Sequence, residues 1–136
     1  MRIEKVIASK VEMPYIKPWV ISGGPMSVAA NVLVQIVTDD GLVGLGEGSP
    51  VPAYGDETQG TILHAIQDNL AEVLIGRDPF DGEALAHDMD KQLHGHHFAK
   101  AAIDLALYDL RGKALGVPVY QLLGGRYRDQ VELIWG

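Results

Sequence analysis

The segment of residues 98–115 is the feature that most constrains how this chain of 136 residues can fold. Alanines recur in it at three- and four-residue spacing, with larger aliphatic residues between them, which is typical of a packed helix. At about 1.5 Å per residue the helix would be about 27 Å long. Gly116 ends it, and Pro118 prevents it from resuming because proline has no backbone N–H to donate.

This helix carries more apolar surface than one neighbour covers. Ala99, Ala102 and Ala106 leave room for a close approach by another element, and polar positions are few. The larger side chains are Ile103, Leu107, Leu110 and Leu115. We expect two of its sides to need partners, of which the rest of this chain supplies one.

Composition excludes several classes of protein. Apolar residues make up 47% of the chain and charged residues 21%, which is typical of a soluble globular domain. No apolar stretch approaches the ~20 residues that span a bilayer, so we expect no membrane partner. The net charge of −7 argues against binding to nucleic acid. The absence of cysteine excludes disulfides and favours a cytoplasmic location.

The first third of the chain predicts three antiparallel strands. Residues 2–13 and 29–38 have the composition of strands. Residues 39–41 (Asp-Asp-Gly) predict a hairpin turn, after which residues 42–47 form the third strand. In the first strand the apolar residues fall at odd positions, which predicts one buried face: Ile3, Ile7, Val11 and Met13.

Two loops of this part of the chain are candidates for function. Residues 14–28 are far longer than a usual hairpin loop of ~2–5 residues, and they carry large apolar side chains beside a pair of glycines. Such a loop predicts a lid that closes over a site, although a loop folded back on its own domain is an alternative. Residues 48–55 form the second loop.

Residues 56–95 predict two helices. Asp56 is the expected N-cap of the first, with Gln59 completing a capping box and Gly76 ending the helix. Pro79, after Asp78, is the expected first residue of the second. The predicted buried positions are Ile62, Leu63, Ile66, Leu70, Val73, Leu74, Leu85, Met89 and Leu93.

Several groups of polar residues are better explained by a structural role than by catalysis or metal binding. The histidines of residues 94–97 lie between two predicted helices without a cysteine, so a metal site there is the weaker reading. Asp104 and Asp109 are expected to pair with Arg111 or Lys113, since acids in an apolar helix need partners. Glu47, at a strand end, is expected at a domain interface, with an approach to the active site as the alternative. The spaced glycines at 44, 46 and 48 precede no helix directly, unlike a dinucleotide fingerprint.

Residues 99–124 match a family motif without a departure. The matching positions are Ala99, Ala101, Ala102, Asp104, Ala106, Leu107, Asp109, Gly112, Lys113, Pro118, Val119, Leu122, Leu123 and Gly124. With DDGLVGLGE at residues 39–47, the chain resembles, over its whole length, the mandelate racemase and muconate-lactonizing family of the enolase superfamily.

This resemblance implies an α+β fold, in which a three-stranded antiparallel meander precedes a helical segment. It implies a capping domain at residues 1–125, followed by a linker and the first strand of a TIM-type barrel at residues 126–136. The alternating run VELIWG at residues 131–136 agrees with such a strand. We expect the rest of the barrel to be absent from this chain, so that the C-terminal barrel domain is its partner.

The resemblance also implies a reaction. In the family, barrel carboxylates bind magnesium, which stabilises an enolate formed by removing the proton beside a substrate carboxylate. None of the metal ligands or catalytic bases would lie in this chain, so we expect the chain alone to be inactive. The parent enzyme would be a racemase, a cycloisomerase or a dehydratase, and commonly a homo-oligomer. A free-standing binding or interaction module without catalysis is the alternative.

The chain's own contribution would be the cover of the active site. In the family, the two loops at residues 14–28 and 48–55 close over the barrel and select the substrate, a small-molecule carboxylate. Apolar lining would favour a substrate with an apolar or ring portion. The candidate substrate-binding residues are Tyr15, Trp19, Ile21, Val51, Tyr54 and Trp135.

Overall fold

A computed structural model, which describes residues 1–133, contains one antiparallel sheet of three strands in the order β1-β2-β3. The strands are β1 (Ile3–Ile21), β2 (Gly24–Thr38) and β3 (Val43–Gly48). At the β2–β3 turn, Gly41 has a φ of +84°, which glycine adopts without strain. The predicted meander is confirmed, with β3 starting one residue later than expected.

A bulge near the start of β1 reverses the face that this strand buries. Ile3 pairs with Thr38 but Lys5 pairs with Val37, so one residue of β1 is left over. Because side chains alternate, the extra residue moves the even positions, such as the buried Ala8, onto the inner face. The predicted odd face is therefore wrong beyond Ile3: Ile7 and Met13 are exposed, and Val11 is only half-buried.

The predicted long loop at residues 14–28 is instead the end of a hairpin. Trp19 pairs with Met26 and Ile21 with Gly24, so only two residues remain in the turn. The segment contains Pro14, Pro18 and Pro25, and proline cannot donate to a ladder. Pro18 lies within a second register shift, between Pro14 and Trp19, whereas Pro25 pairs with Val20.

The first helical region starts later than predicted. Its N-cap is Thr58, not Asp56, and the Thr58 side chain accepts from the backbone N–H of Thr61 in a capping box. The region comprises α1 (Gln59–Ala65), a π-helical turn (Ile66–Leu70) and α2 (Ala71–Leu74). The predicted apolar stripe is confirmed, and Gly76 follows with a φ of +77°.

The remaining helices are α3 (Gly82–Gln92), α4 (His97–Leu115) and α5 (Val119–Leu122). The predicted start of α3 at Pro79 is wrong. The carboxylate of Asp78 accepts from the backbone N–H of Phe80, and this turn delays the helix to Gly82. Helix α4 agrees with prediction to one residue and ends at Gly116, whose φ is +67°.

The core lies between the inner face of the sheet and the helices, and α4 crosses directly over β3. Side chains built on Gly44 and Gly46 would overlap the backbone of α4, so both glycines allow its close approach. The facing residues of α4 are the small Ala102 and Ala106, both fully buried. Within residues 1–133, no helix has the length and apolar character needed to cross a membrane.

Candidate functional site

The hairpin tip, residues 15–27, carries apolar side chains that stand in solvent. On β1, residues 15–18 lie opposite Ser27 alone, because Pro14 pairs with Val28 and Trp19 with Met26. This bulge leaves Ile16 fully exposed, and Trp19 is 53% exposed. Exposed apolar groups clustered at the end of a ribbon are typical of a binding surface.

The hairpin tip contacts the β3–α1 loop, residues 49–58. The hydroxyls of Ser22 and Tyr54 share a hydrogen bond. Next to them, a Cβ built on Gly23 would lie 2.5 Å from the Cβ of Ala53, so the two backbones approach too closely for a larger residue. The structure thus brings the two segments that sequence analysis singled out into direct contact.

The predicted substrate-binding residues lie on these two segments. Trp19 and Ile21 are two positions apart in a paired part of β1, and so they share one face of the ribbon. Tyr15 lies within the bulge, on the far side of the register shift. Val51 and Tyr54 lie on the β3–α1 loop, Val51 half-buried and Tyr54 66% exposed. Trp135 lies outside the described residues.

Glu57, at the end of the β3–α1 loop, was missed by sequence analysis. Its side chain is buried, and its carboxylate accepts from the backbone N–H groups of Phe98, at 2.6 Å, and Ala99, at 3.3 Å. These donors belong to the first turn of α4, where N–H groups lack partners within the helix and where the helix dipole favours an anion. Because 41 residues separate Glu57 from Phe98, no local pattern could have indicated the contact.

His96 lies beside the same carboxylate and has an unusual backbone. Its Nδ1 is 3.8 Å from the Oε2 of Glu57, and its φ is +51°, in the left-handed region. The histidines of residues 94–97 thus mark the entry to α4. Among residues 1–133, no group of three or more His, Cys, Asp or Glu side chains is placed to hold a metal ion.

Two acids of α4 have different surroundings. Asp109 pairs with Lys113 at 2.6 Å, as predicted, and also accepts from the backbone N–H of Leu45 at 2.7 Å, which fastens α4 to β3. Asp104 has no ion pair among the described residues; partial burial raises the pKa of its carboxyl, against the opposing effect of Arg111. The Nε of Arg111 donates to the carbonyl of Pro79 instead.

An apolar groove of about 480 Å³ runs along the outer side of α4. Leu105 from α4 and Leu45 from β3 line it, and they are 53% and 44% exposed. Leu33, Tyr108 and Val119 complete the apolar lining. One apolar side of α4 is therefore open to solvent, and the prediction that a partner covers a second side of this helix stays a prediction.

Glu47 belongs to a small polar network at the end of the sheet. The amide of Asn31 donates to its carboxylate at 2.6 Å, and the amide of Gln59 donates to the carbonyl of Asn31 at 2.9 Å. The network links β2 and β3 to the start of α1. The expected role of Glu47 at a domain interface stays a prediction.

This architecture, a three-stranded antiparallel sheet followed by helices, defines an α+β domain of the type at the N-terminus of enolase-superfamily enzymes. A family model, the mandelate racemase / muconate lactonizing enzyme N-terminal domain, matches residues 3–124. The chain therefore belongs to the mandelate racemase / muconate lactonizing enzyme family.

Individual relatives are isomerases of this family. The chain is 37% identical to the N-succinyl-L-Arg/Lys racemase of Bacillus cereus, over 96% of the chain and 35% of the racemase. It is 37% identical to muconate cycloisomerase 1-1 of Acinetobacter lwoffii, over 98% of the chain and 36% of that enzyme.

Solved structures match this chain at similar levels of sequence identity. The 2-chloromuconate cycloisomerase of Rhodococcus opacus superposes with a TM-score of 0.96 at 35% identity, over 99% of this chain and 37% of the enzyme. A dipeptide epimerase of Enterococcus faecalis, complexed with Mg and the dipeptide L-Leu-L-Tyr, gives a TM-score of 0.88 at 38% identity, over 92% of this chain and 35% of the epimerase. The chain spans about a third of the length of the relatives it matches.

Proposed function

We propose that this chain is the substrate-capping domain of a magnesium-dependent racemase or cycloisomerase that removes a proton beside a substrate carboxylate. The observation that carries the proposal is the hairpin tip, whose exposed apolar side chains are joined to the β3–α1 loop by the Ser22–Tyr54 hydrogen bond. Membership of a family whose relatives are racemases and cycloisomerases supports the class of reaction.

Within this proposal, the chain's residues bind the part of the substrate that does not react. Trp19 and Tyr54 offer large, amphipathic surfaces that are 53% and 66% exposed, and the hydroxyl of Tyr54 hydrogen-bonds Ser22. Closed over a barrel, such side chains would exclude water and contact an apolar or ring portion of a carboxylate substrate. Tyr15, Ile21 and Val51 would complete the lining, and Trp135 would contribute from the start of the barrel.

The residues described do not fit a magnesium site, since residues 1–133 hold no suitable group of acids or histidines. We therefore assign metal binding and proton transfer to a C-terminal barrel that follows the capping domain of residues 1–125. The chain alone is then inactive. The proposed setting is the cytoplasm, in a homo-oligomeric parent enzyme.

The apolar groove beside α4 is the proposed docking surface for that barrel. Leu45 and Leu105 would become buried there, and Asp109 with Lys113 would form a polar rim. Burying two leucine side chains that are now about half exposed contributes about 1–3 kcal/mol to such docking. The groove is lined by α4 and by Val119 of α5, the last helix that the structure describes before residue 126.

A chimera tests the proposal. This chain would replace the N-terminal domain of the Bacillus cereus N-succinyl-L-Arg/Lys racemase, to which it is 37% identical, and racemisation would be measured with Mg²⁺. We expect turnover by the chimera and none by this chain alone. Trp19→Ala and Tyr54→Ala should raise KM more than they lower kcat.

Ile7→Ala is the matched control, since Ile7 is an exposed apolar residue, 41% accessible, in β1 outside the hairpin tip. Its KM should equal that of the unmodified chimera. Turnover by the isolated chain would contradict the proposal. A chimera that folds, binds Mg²⁺ and never turns over would favour a binding module without catalysis.

A further inference from the structure

The hairpin tip and the β3–α1 loop are connected to α4 through a continuous path of contacts. Ser22 in the tip hydrogen-bonds Tyr54 in the loop. Within the loop, the backbone N–H groups of Tyr54 and Gly55 both donate to the carbonyl of Val51, at 2.9 and 3.0 Å. Two residues after Gly55, and one residue before the end of the loop, Glu57 binds the first turn of α4.

We propose that Glu57 is a positioning residue for both substrate-facing segments. By fastening the β3–α1 loop to α4, it fixes Tyr54, and through the Ser22–Tyr54 hydrogen bond it fixes the hairpin tip. The two segments then present their side chains as one unit. The consequence for substrate selection rests on the proposed function, whereas the mechanical coupling does not.

The strength of the anchor follows from its surroundings. A buried carboxylate left without donors is costly, and two backbone N–H groups at a helix N-terminus supply them. Phe98 adds a packing contact, because its ring lies against Gly55, where a Cβ would be 3.3 Å from the ring. The end of the loop is therefore held on α4 by polar and apolar contacts together.

The other connection is weaker and easier to break. The hydrogen bond between Ser22 and Tyr54 joins two exposed side chains, each of which water can solvate once the bond opens. In the hairpin tip, the side chains of Ile16, Trp19 and Val20 are largely exposed. Its order should therefore depend strongly on the bridge to Tyr54.

Hydrogen exchange of the full chain, followed by mass spectrometry without substrate, tests this coupling. Glu57→Gln keeps the size of the side chain but weakens the acceptor. We expect amides of the β3–α1 loop and of the hairpin tip to exchange about 2- to 10-fold faster, the range for one lost hydrogen bond. Asp56→Asn is the matched control: it makes the same change of charge at the adjacent, exposed position and should alter nothing.

The bridge is tested separately. Tyr54→Phe and Ser22→Ala should each accelerate exchange in the hairpin tip, and the double variant should add little to either. Ser22→Thr restores a hydroxyl and should restore protection. Tyr15→Phe, an exposed tyrosine in the same hairpin, should leave exchange unchanged.

Three outcomes would overturn the inference. In the first, Glu57→Gln affects only α4. In the second, it accelerates all amides equally, including those of β3, which would make Glu57 a support of the whole fold. In the third, Tyr54→Phe leaves the tip protected. These exchange experiments contain no substrate, so a negative result in them would leave the proposed function standing. Conversely, an inactive chimera in which Glu57→Gln still accelerates exchange in both segments would overturn the proposed function but not the coupling.

Discussion

A side chain on Gly46 would overlap the carbonyl oxygen of Ala102, so strand β3 and helix α4 meet backbone to backbone. Gly44 makes the same kind of contact with Ala106, one helical turn further along α4. Glycines two apart on the strand therefore face alanines four apart on the helix. This contact sets the distance between the sheet and the helix that lines the groove.

The first prediction concerns this close approach. Gly46→Ala should lower the free energy of unfolding by about 1–3 kcal/mol, since overpacking against backbone cannot be relieved by turning a side chain. Urea denaturation measures the effect. Gly60→Ala is the control: Gly60 lies in α1, where an added Cβ would meet only the Oγ1 of Thr58, at an ordinary contact distance of 3.8 Å, so alanine should stabilise the chain by about 0.5–1 kcal/mol. Equal effects of the two substitutions would refute this account.

The second prediction concerns the ion pair of Arg77 with Asp88. The hydrogen bond from Arg77 lowers the pKa of Asp88 below its ordinary value of 3.8. A carboxyl whose pKa is lower in the folded state stabilises that state above pH 3.8, and this contribution is lost as the pH falls through the folded pKa. Asp88→Asn should therefore reduce stability at pH 6. The difference from the parent chain should shrink below pH 3.8, as denaturation at both pH values would measure.

Asp104 should behave in the opposite way. Partial burial raises the pKa of its carboxyl above 3.8, so its ionised form is less favourable in the folded state than in the unfolded state. The folded state gains stability from this group only at low pH, and the gain disappears as the pH rises through the folded pKa. Asp104→Asn should make the chain more stable at pH 7 and equally stable at pH 3. A loss of stability at pH 7 would show that Asp104 has a favourable partner.

A fourth prediction separates the hairpin tip from the core. Ile16→Ser should change the free energy of unfolding by less than about 0.5 kcal/mol, because this side chain is fully exposed. Ile36→Ala, in the same sheet but fully buried, should cost about 2–5 kcal/mol. Thermal denaturation of both variants provides the comparison. A large loss from Ile16→Ser would mean that the tip packs on the domain.

The groove beside α4 gives a fifth prediction. Leu105→Lys should reduce binding of a hydrophobic dye such as ANS, since Leu105 is a major exposed apolar residue of the groove. Stability should change little, because the side chain is already 53% exposed. Lys17→Leu, on the exposed hairpin, serves as the converse control and should not lower dye binding. Unchanged dye binding by Leu105→Lys would place the exposed apolar surface elsewhere.

Local patterns were enough to predict three helical regions and the β2–β3 turn, but not the residues at which α1 and α3 begin. Helix α4 was located to within one residue, because its apolar spacing and the glycine and proline that follow it act within a few residues. The capping residue of α1 was misplaced by two positions, since Asp56 and Thr58 both suit an N-cap and only the backbone path selects Thr58.

Strand faces and the hairpin tip could not be predicted in the same way. A single extra residue between Ile3 and Lys5 reversed the buried face of β1, and its position depends on pairing with β2. The length of residues 14–28 and their pair of glycines indicated a loop, yet cross-strand pairing of Trp19 with Met26 forms a ribbon there. The buried face of β1 and the structure of the hairpin tip were both determined by pairing with residues of β2.

The sequence by itself determined the meander and the apolar helix, because both depend on short-range spacing, and the motif of residues 99–124 was enough to indicate the family. The tertiary structure alone decided that Glu57 caps α4 and that Ser22 meets Tyr54. Those contacts join residues 41 and 32 positions apart. The physical reason is that a buried carboxylate takes whichever donors the packing of the chain brings to it, and no periodicity encodes which donors those are.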